Sequence, residues 1–445
     1  MGNDTASIGE QAQRSDVGFV DLQFVDILGM VKSVTIPIEQ LKRVENHRQW
    51  FDGSSIQGFS RTSENDMYLE PDAGTFVVLP WLRNGQRVAR VICDVLTPKK
   101  EPFDGDPRYL LRNVLHDAAE RGYGFQVSPE MEFFLFDSIK PNEIPVSSDS
   151  GSYFDLSKDA GHDIRQQMVI QLEAMGIEVE AGHHEVAPGQ QEIDCRMKPG
   201  LVSADNIVTL KWVIREVAKQ HSLFASFMPK PLTGAFGSGM HLHQILTDIK
   251  NGSNLFYSDE DPYKLSKLGR YFVAGQIEHA RGMCAIIAPL VNSYKRLVAG
   301  YEAPTVINWA RENRSAFIRL PETTEDEPEA TRVELRAPDP SCNPYLAIAV
   351  MLGAGLDGIE RELPLPEAVE ETILAIEPAH NRKYHTGILP ENLKEALDEL
   401  QTDDVICDIL GPHLLQQFLD AKRMEWEDYR IQVSAWELGH YLTSY

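Results

Sequence analysis

The chain has 445 residues, 42% hydrophobic and 24% charged, the balance of a folded protein of roughly two or three domains rather than a disordered or fibrous one. Its 67 acidic residues outnumber 42 basic ones for a net charge of −25, so a polyanion such as nucleic acid is repelled and is excluded as a partner. Five cysteines (Cys93, Cys195, Cys284, Cys342, Cys407) stand far apart with no CxxC pair, and read as free thiols in a reducing compartment.

Residues 1–16 are polar, without a cationic start or an apolar stretch, and are expected to be disordered. Strands are expected over Val17–Phe24 and Val31–Ile36 around an Asp26–Gly29 turn. A second pair, Phe76–Leu79 and Arg87–Asp94, flanks Asn84-Gly85, a hairpin signal. Asp106-Pro107 then opens a helix that Gly122 stops, Asp serving as N-cap and Pro as first helical residue. A domain boundary is therefore placed near residue 105. Ile139–Ser152, rich in Pro, Ser and Asn, reads as an exposed loop or flap. Beyond it strands (Phe125–Phe136, Ile177–Glu185, Glu192–Met197, Gly239–Leu246, Thr331–Ala337) mix irregularly with helices (Asp163–Met175, Ser203–His221, Leu265–Ala288). The tail from Pro390 is helical and aromatic. Met283–Val291 and Ala347–Leu356 are too short to span a bilayer, so no membrane role and a cytoplasmic location are expected.

Three strands carry ionisable side chains two apart: Glu130 and Glu132, His241 and His243, and Arg332, Glu334 and Arg336. Alternation puts each set on one face of a sheet while Met131, Leu242 and Leu335 point to the other. His183 to Glu192 reads as a hairpin around Pro188-Gly189 with Glu185 and Glu192 on its arms. Carboxylates about 7 Å apart repel by about 2.5 kcal/mol at an effective dielectric of about 20. Cations relieve that, and mostly oxygen donors (Glu130, Glu132, Glu185, Glu192, Glu334, with His241) suit hard ions such as Mg²⁺ or Mn²⁺, more than one per site. Taken alone, Glu-x-Glu is also a solvated strand face and His-x-His a satisfied core pair. His183-His184 reads as packing and orienting. The apolar neighbours Phe133, Phe134 and Phe136 argue against a solvated face. Arg296, Arg311, Arg314, Arg319, Arg332 and Arg336 add guanidinium forks for carboxylate or phosphate, Arg311 reading as a surface ion pair. GxxxxGK[ST], GxGxxG and GxSxG are all absent, so a nucleotide here has no glycine cradle.

Phe51-Asp-Gly-Ser-Ser-Ile56, Glu130-Met-Glu132, His183-His-Glu-Val186, Met228-Pro-Lys-Pro231, Gly237-Ser-Gly-Met-His-Leu-His243, Lys295-Arg-Leu-Val298, Gly300-Tyr-Glu-Ala-Pro304, Asn313-Arg-Ser315, Pro338-Asp-Pro340 and Asn343-Pro-Tyr345 resemble type I glutamine synthetase, in order along nearly the whole chain. The resemblance implies an α+β protein with a β-grasp domain over 17–105. A catalytic domain over 106–445 follows, with a curved antiparallel sheet flanked by helices and a C-terminal helical tail. It implies a dodecamer of two hexameric rings with active sites between subunits, and ATP-dependent joining of ammonia to L-glutamate through γ-glutamyl phosphate. Glu132, Glu185 and Glu192 then fall at one metal position and Glu130, His241 and Glu334 at the other. Glu180, His243, Arg314 and Arg319 fall at nucleotide positions, and Gly237, Arg296, Glu302, Arg314 and Arg336 at glutamate positions. Asp52, from a neighbouring subunit, and Glu302, on a flap, are expected to handle ammonium, and Arg314 faces the transferred phosphoryl group.

The sequence departs from the family at Phe236 (usually Asn), Ile245 (Ser), Glu329 (Lys) and Ala299 (Pro). Phe236 leaves open a γ-glutamyl ligase for methylamine or a polyamine, or a catalytically silent ring protein; a two-metal hydrolase is the rival from another class. The family's adenylylation segment is missing from Leu356–Pro390, which resembles the α-like subgroup. Arg61 falls where that subgroup is linked to glutamine feedback, and reads equally as a plain surface arginine.

Overall fold

The computed structural model describes residues 8–56, 66–140, 143–323, 327–371 and 387–445. Arg61 and residues 372–386, part of the stretch compared for adenylylation, lie outside them.

The N-terminal strands are β1 (Phe19–Val25), β2 (Val31–Pro37), β3 (Gln49–Asp52), β4 (Asp66–Pro71), β5 (Val77–Val78) and β6 (Val88–Leu96). They form a sheet in the order β2-β1-β6-β4-β3, with β1 and β6 parallel and β5 pairing with β6. The Asp26 carboxylate closes the first turn, accepting from the N–H groups of Leu28 and Met30 at 3.0 and 2.9 Å. Asn84 and Gly85 both take positive φ (50° and 76°), the geometry of a tight hairpin turn. Of residues 1–16, expected to be disordered, 1–7 lie outside the described residues and Ile8–Arg14 is helical. Ile8 and Ala12, one turn apart, are buried in the same cluster as Val20, Leu22 and Val44, and that burial offsets a weak local signal.

At the boundary, Asp106 caps the Pro107–Glu120 helix through the Arg108 N–H at 2.9 Å. The buried Arg108 guanidinium reaches Asp72 (2.7 Å), Asp94 (2.6 Å) and Asp205 (3.0 Å), while Asn343 donates to the Asp26 carbonyl (3.0 Å). The two parts are thus joined by buried charge as well as apolar contact.

The following strands are β7 (Tyr123–Ser138), β8 (Val146–Ser147), β9 (Val179–His184), β10 (Gln190–Cys195), β11 (Lys198–Pro199), β12 (Phe224–Ser226), β13 (Met240–Asp248), β14 (Val306–Ile307), β15 (Trp309–Ala310), β16 (Ile318–Arg319), β17 (Val333–Leu335) and β18 (Gly387–Ile388). Among the described residues they make one large sheet in the order β15-β16-β17-β13-β7-β10-β9, with β8, β11 and β12 on β7. It is antiparallel except for β15–β16. β14 pairs with β18 apart from it.

Met131, Leu242 and Leu335 are fully buried on the helix-covered face, as alternation predicts. The helices there include Gly200–Gln220 and the largely buried Pro344–Glu360. The helix expected over Leu265–Ala288 is two, Lys267–Glu278 and Ala280–Ile287. They meet at His279, whose ring is held between Asp357 and Asp403, both at 2.9 Å. The described residues of the 139–152 stretch are mainly loop, with β8 paired to β7. Among the described residues no helix is long and apolar enough to cross a membrane.

Candidate active site

The exposed edge of the chemistry is the other face of this sheet, and strand register assembles it. Across neighbouring strands Arg319 faces Glu334, which faces His243; His241 faces Glu130, which faces Asp194; and Glu132 faces Glu192, which faces His183. Residues spread over two hundred positions therefore lie in three short rows. Beyond Glu132 on the same face, Phe134 and Phe136 stack at 5.7 Å and pack with Ala187, Leu232, Ala235 and Phe236 as an apolar wall.

The rows differ in how their charge is compensated. Glu130 is held by both histidines, at 3.0 Å from His241 Nδ1 and 2.7 Å from His243 Nε2. Arg332 donates to His243 Nδ1 at 3.1 Å, so that nitrogen is the acceptor and Nε2 carries the hydrogen toward Glu130. Burial would raise the Glu130 carboxyl, but the two imidazole contacts carry it well below the ordinary range. Burial would raise the Glu334 carboxyl too, but Arg336 and the two histidines carry it below its ordinary value; Arg336 grips one oxygen and Arg319 donates to the other at 2.9 Å. His241 is pushed down to about 4 by burial and by Arg336, and stays neutral with its ring facing Glu130 and Glu334.

On the β9–β10 side the acids outnumber their partners. Burial and Glu185 push Glu132 up to about 8, although Gln190 and the Gly239 N–H donate to it at 2.9 and 3.0 Å. Burial and Glu132 raise Glu192 well above its ordinary value, and burial raises Glu185. Asp194 goes to about 7 through burial and Glu130. Four acids raised together are a deficit of positive charge, and the donor set fits divalent cations. Ligand-capable atoms of Glu130, His241 and Glu334 lie within 4.8 Å of one another, and so do those of His183, Glu185 and Glu192.

Glu130, Glu132, His183, Glu185, Glu192, Asp194 and His241 line one cavity of about 340 Å³, joined by Arg296, Arg314, Arg319, Arg336, Tyr153, Phe236, Gly237 and Glu302, while Glu334 is fully buried beneath it. Gly237 has no room for a side chain, since a Cβ would sit 2.4 Å from the Pro229 carbonyl. Glu302 stands at positive φ (53°) after Gly300 (91°), on a loop whose Tyr301 meets Phe236 edge-on at 5.7 Å and lies under Lys230 Nζ at 3.6 Å. A second cavity of about 290 Å³ shares Glu130 and Asp194 and is lined by Glu180, His243, Ile245, Glu329 and Arg332.

Most of the expected site residues thus come together, with three differences. Asp52 is exposed on β3, its carboxylate accepting from the Ser54 N–H, and does not border this cavity within one chain. Arg296 is buried and spends its guanidinium on the carbonyls of Arg336, Ala337 and Pro338 at 2.8–3.2 Å. His183, read as an orienting residue, stands 3.2 Å from Glu192 within the second cluster, with Tyr153 and Phe154 edge-on against its ring. Asp194 and Tyr153 were not anticipated. Asp194 sits two residues past Glu192 and so was legible by alternation, whereas Tyr153 arrives on a loop that carries no such period.

Residues 16–98 match the family model described as glutamine synthetase, β-grasp domain, and residues 104–441 match glutamine synthetase, catalytic domain. Glutamine synthetase of Thermus thermophilus is 49% identical, covering all of both chains, and that of Methanocaldococcus jannaschii 46%, covering 97% of each. A solved structure titled as a GmaS/ADP complex superposes with a TM-score of 0.88 at 30% identity, covering 98% of this chain and 99% of that one. The cryo-EM structure of Plasmodium falciparum glutamine synthetase shares the fold, with a TM-score of 0.87 at 24% identity and the same coverage. On two matching domains and near-complete coverage by relatives, this chain belongs to the glutamine synthetase family.

Proposed function

We propose that this enzyme joins ammonia to L-glutamate at the expense of ATP, giving L-glutamine, ADP and phosphate through γ-glutamyl phosphate. The observation that carries the reading is one cavity holding two carboxylate–imidazole clusters beneath four arginines. A carboxylate is a poor electrophile and phosphorylation activates it, so the site has to gather anionic phosphates and an anionic acid in one place.

In this reading Glu130, His241 and Glu334 hold one divalent ion and Glu132, Glu185 and Glu192, with His183 beside them, another, Mg²⁺ or Mn²⁺. Bound there, such ions offset the charge that develops on the transferring phosphoryl group. Glu180 and His243 contact the nucleotide at the adjoining cavity and Arg319 contacts it from the first, while Arg314 faces the phosphoryl group. Arg336 receives the glutamate carboxylate, with Gly237 giving backbone access. Arg296 acts through the carbonyls it holds, keeping Arg336 in position. Glu302, on its loop at the cavity rim, takes a proton from ammonium, and Asp52 of a neighbouring subunit attracts that cation. Closure of the loop then keeps water from the acyl phosphate. The dodecamer of two stacked rings and a cytoplasmic location belong to the same reading.

The apolar wall of Phe134, Phe136 and Phe236 favours one second reading, a γ-glutamyl ligase for an amine with a hydrocarbon portion. Coupled ADP release with glutamate and ammonium, methylamine or a polyamine separates the two. Ammonium is expected to give the highest kcat/KM; faster turnover with an alkylamine overturns the first reading in favour of the second. ADP release that does not need glutamate overturns both.

A further inference from the structure

Behind the β9–β10 hairpin, away from the cavity, lies a polar cluster that the ligase chemistry does not use. Alternation turns His183 toward the cavity and His184 to the other side, with Gln191 opposite His184 in register. The loop after β8 brings Asp149 and Asp159 against His184. Their side chains are 2% exposed each, and that of His184 is fully buried. His184 Nε2 is 3.1 Å from Asp149 Oδ1, and ligand-capable atoms of all three residues lie within 4.8 Å of one another.

Two observations point to an occupant. First, Asp149 Oδ2 and Asp159 Oδ1 are buried without a hydrogen-bond partner, and so are Ser147 Oγ, Ser148 Oγ and Gln191 Nε2 nearby. Buried polar atoms are normally satisfied, and five orphans in one place mark a polar hollow. Gly189, whose N–H donates to Asp149 at 2.7 Å, leaves room for the two serine hydroxyls, since a Cβ there would meet them at 2.5 and 3.3 Å. Second, His184 Nδ1 lies 2.6 Å from the Glu185 carbonyl, which only accepts. The ring hydrogen is thereby fixed on Nδ1, the arrangement that leaves Nε2 as a metal ligand. Gly151 keeps that nitrogen open, since a Cβ would stand 2.7 Å from it.

We propose that Asp149, Asp159 and His184 bind a divalent first-row transition ion, separate from the ions of the cavity. One imidazole nitrogen with two carboxylate oxygens suits Mn²⁺ or Zn²⁺ better than the all-oxygen set Ca²⁺ takes. Arg165, 2.9 Å from Asp159, leaves the cluster with one excess negative charge when His184 is neutral. The ion pins the 147–159 loop to the hairpin and so holds Tyr153, a wall of the cavity, against His183. The site does not depend on which amine the enzyme uses.

Crystals of the full chain soaked with Mn²⁺ alone, and others with Zn²⁺ alone, test this by anomalous diffraction. A peak bounded by Asp149, Asp159 and His184 is expected in the wild type with at least one metal. It is expected to vanish from the Asp149→Asn/Asp159→Asn variant, with a loss of one ion per subunit by elemental analysis. The amide oxygen that replaces Asp149 Oδ1 in that variant still accepts from the Gly151 and Gly189 N–H groups, so the loop keeps its anchor. No peak at the cluster with either metal overturns the proposal, leaving a protonated His184 paired with Asp149. A peak persisting in the double variant overturns it too. The wild-type map decides alone if the variant does not fold.

Discussion

Glu334 has both oxygens engaged by guanidinium groups, Arg319 on one and Arg336 on the other, while His241 Nδ1 stands 3.6 Å away. Burial raises this carboxylate's pKa, but Arg336, with His243 and His241, outweighs the desolvation and lowers it. Glu334→Gln keeps the shape but removes the charge. It is expected to lower kcat/KM by about 100-fold or more, with weaker Mn²⁺ binding by equilibrium dialysis. Phe236 works differently, filling space beside Tyr301 rather than carrying charge. Phe236→Asn is expected to change kcat/KM for alkylamines relative to ammonium while leaving the KM for ATP within about 3-fold, a shift of less than about 0.7 kcal/mol. An amine panel with both enzymes measures it.

At the scale of elements, two contacts are tight enough to make firm predictions. The helices Lys267–Glu278 and Pro344–Glu360 cross at Gly275 and Gly358, where a Cβ on Gly275 would stand 2.1 Å from the Ala354 carbonyl. Backbone cannot yield as a side chain does, so Gly275→Ala is expected to cost about 3 kcal/mol by denaturant titration, against the small gain usual for this change in an open helix. The second contact is His279, clamped by Asp357 and Asp403, with Arg361 also on Asp357 at 2.9 Å. Burial opposes its charge, but the hydrogen bonds to Asp403 and Asp357 win and raise its pKa. A raised histidine contributes stability that is complete below its unfolded pKa of about 6.5 and is lost as pH climbs through the higher folded value. His279→Gln is therefore expected to be less stable by about 2 kcal/mol at pH 6, with the gap from wild type narrowing as pH rises. Melting curves across pH check the sign.

The whole molecule ends in helices with an exposed apolar surface. Ile431 (68%), Val433 (68%), Trp436 (59%) and Leu442 (71%) follow one another past the Pro412–Arg430 helix. So much apolar area in a short segment has to be covered to be favourable, and in the proposed assembly of stacked rings a neighbouring subunit would cover it. If the 50.1 kDa chains form the proposed dodecamer, deleting residues 431–445 is expected to leave single rings, read by light scattering, with the subunit fold retained. Unchanged mass would sink the proposed role of the tail.

Residue order was enough to read the acid pair of β7 and the histidine pair of β13, because a strand's period of two puts Glu130 with Glu132 and His241 with His243 whatever the strand pairs with. The Asp106 cap, the Asn84-Gly85 hairpin and the His183–Glu192 hairpin were equally local and equally legible. Register was not, since it depends on contacts between positions far apart in the chain. Only folding sets His241 opposite Glu130 and Glu192 opposite Glu132, turns Arg296 onto backbone carbonyls, breaks a helix at His279 and orders Ile8–Arg14 by burial. The same holds for Asp149 and Asp159. Nothing in a Ser-rich loop announces them, and they matter because an imidazole from the hairpin meets them in the interior, where an unpartnered oxygen is costly.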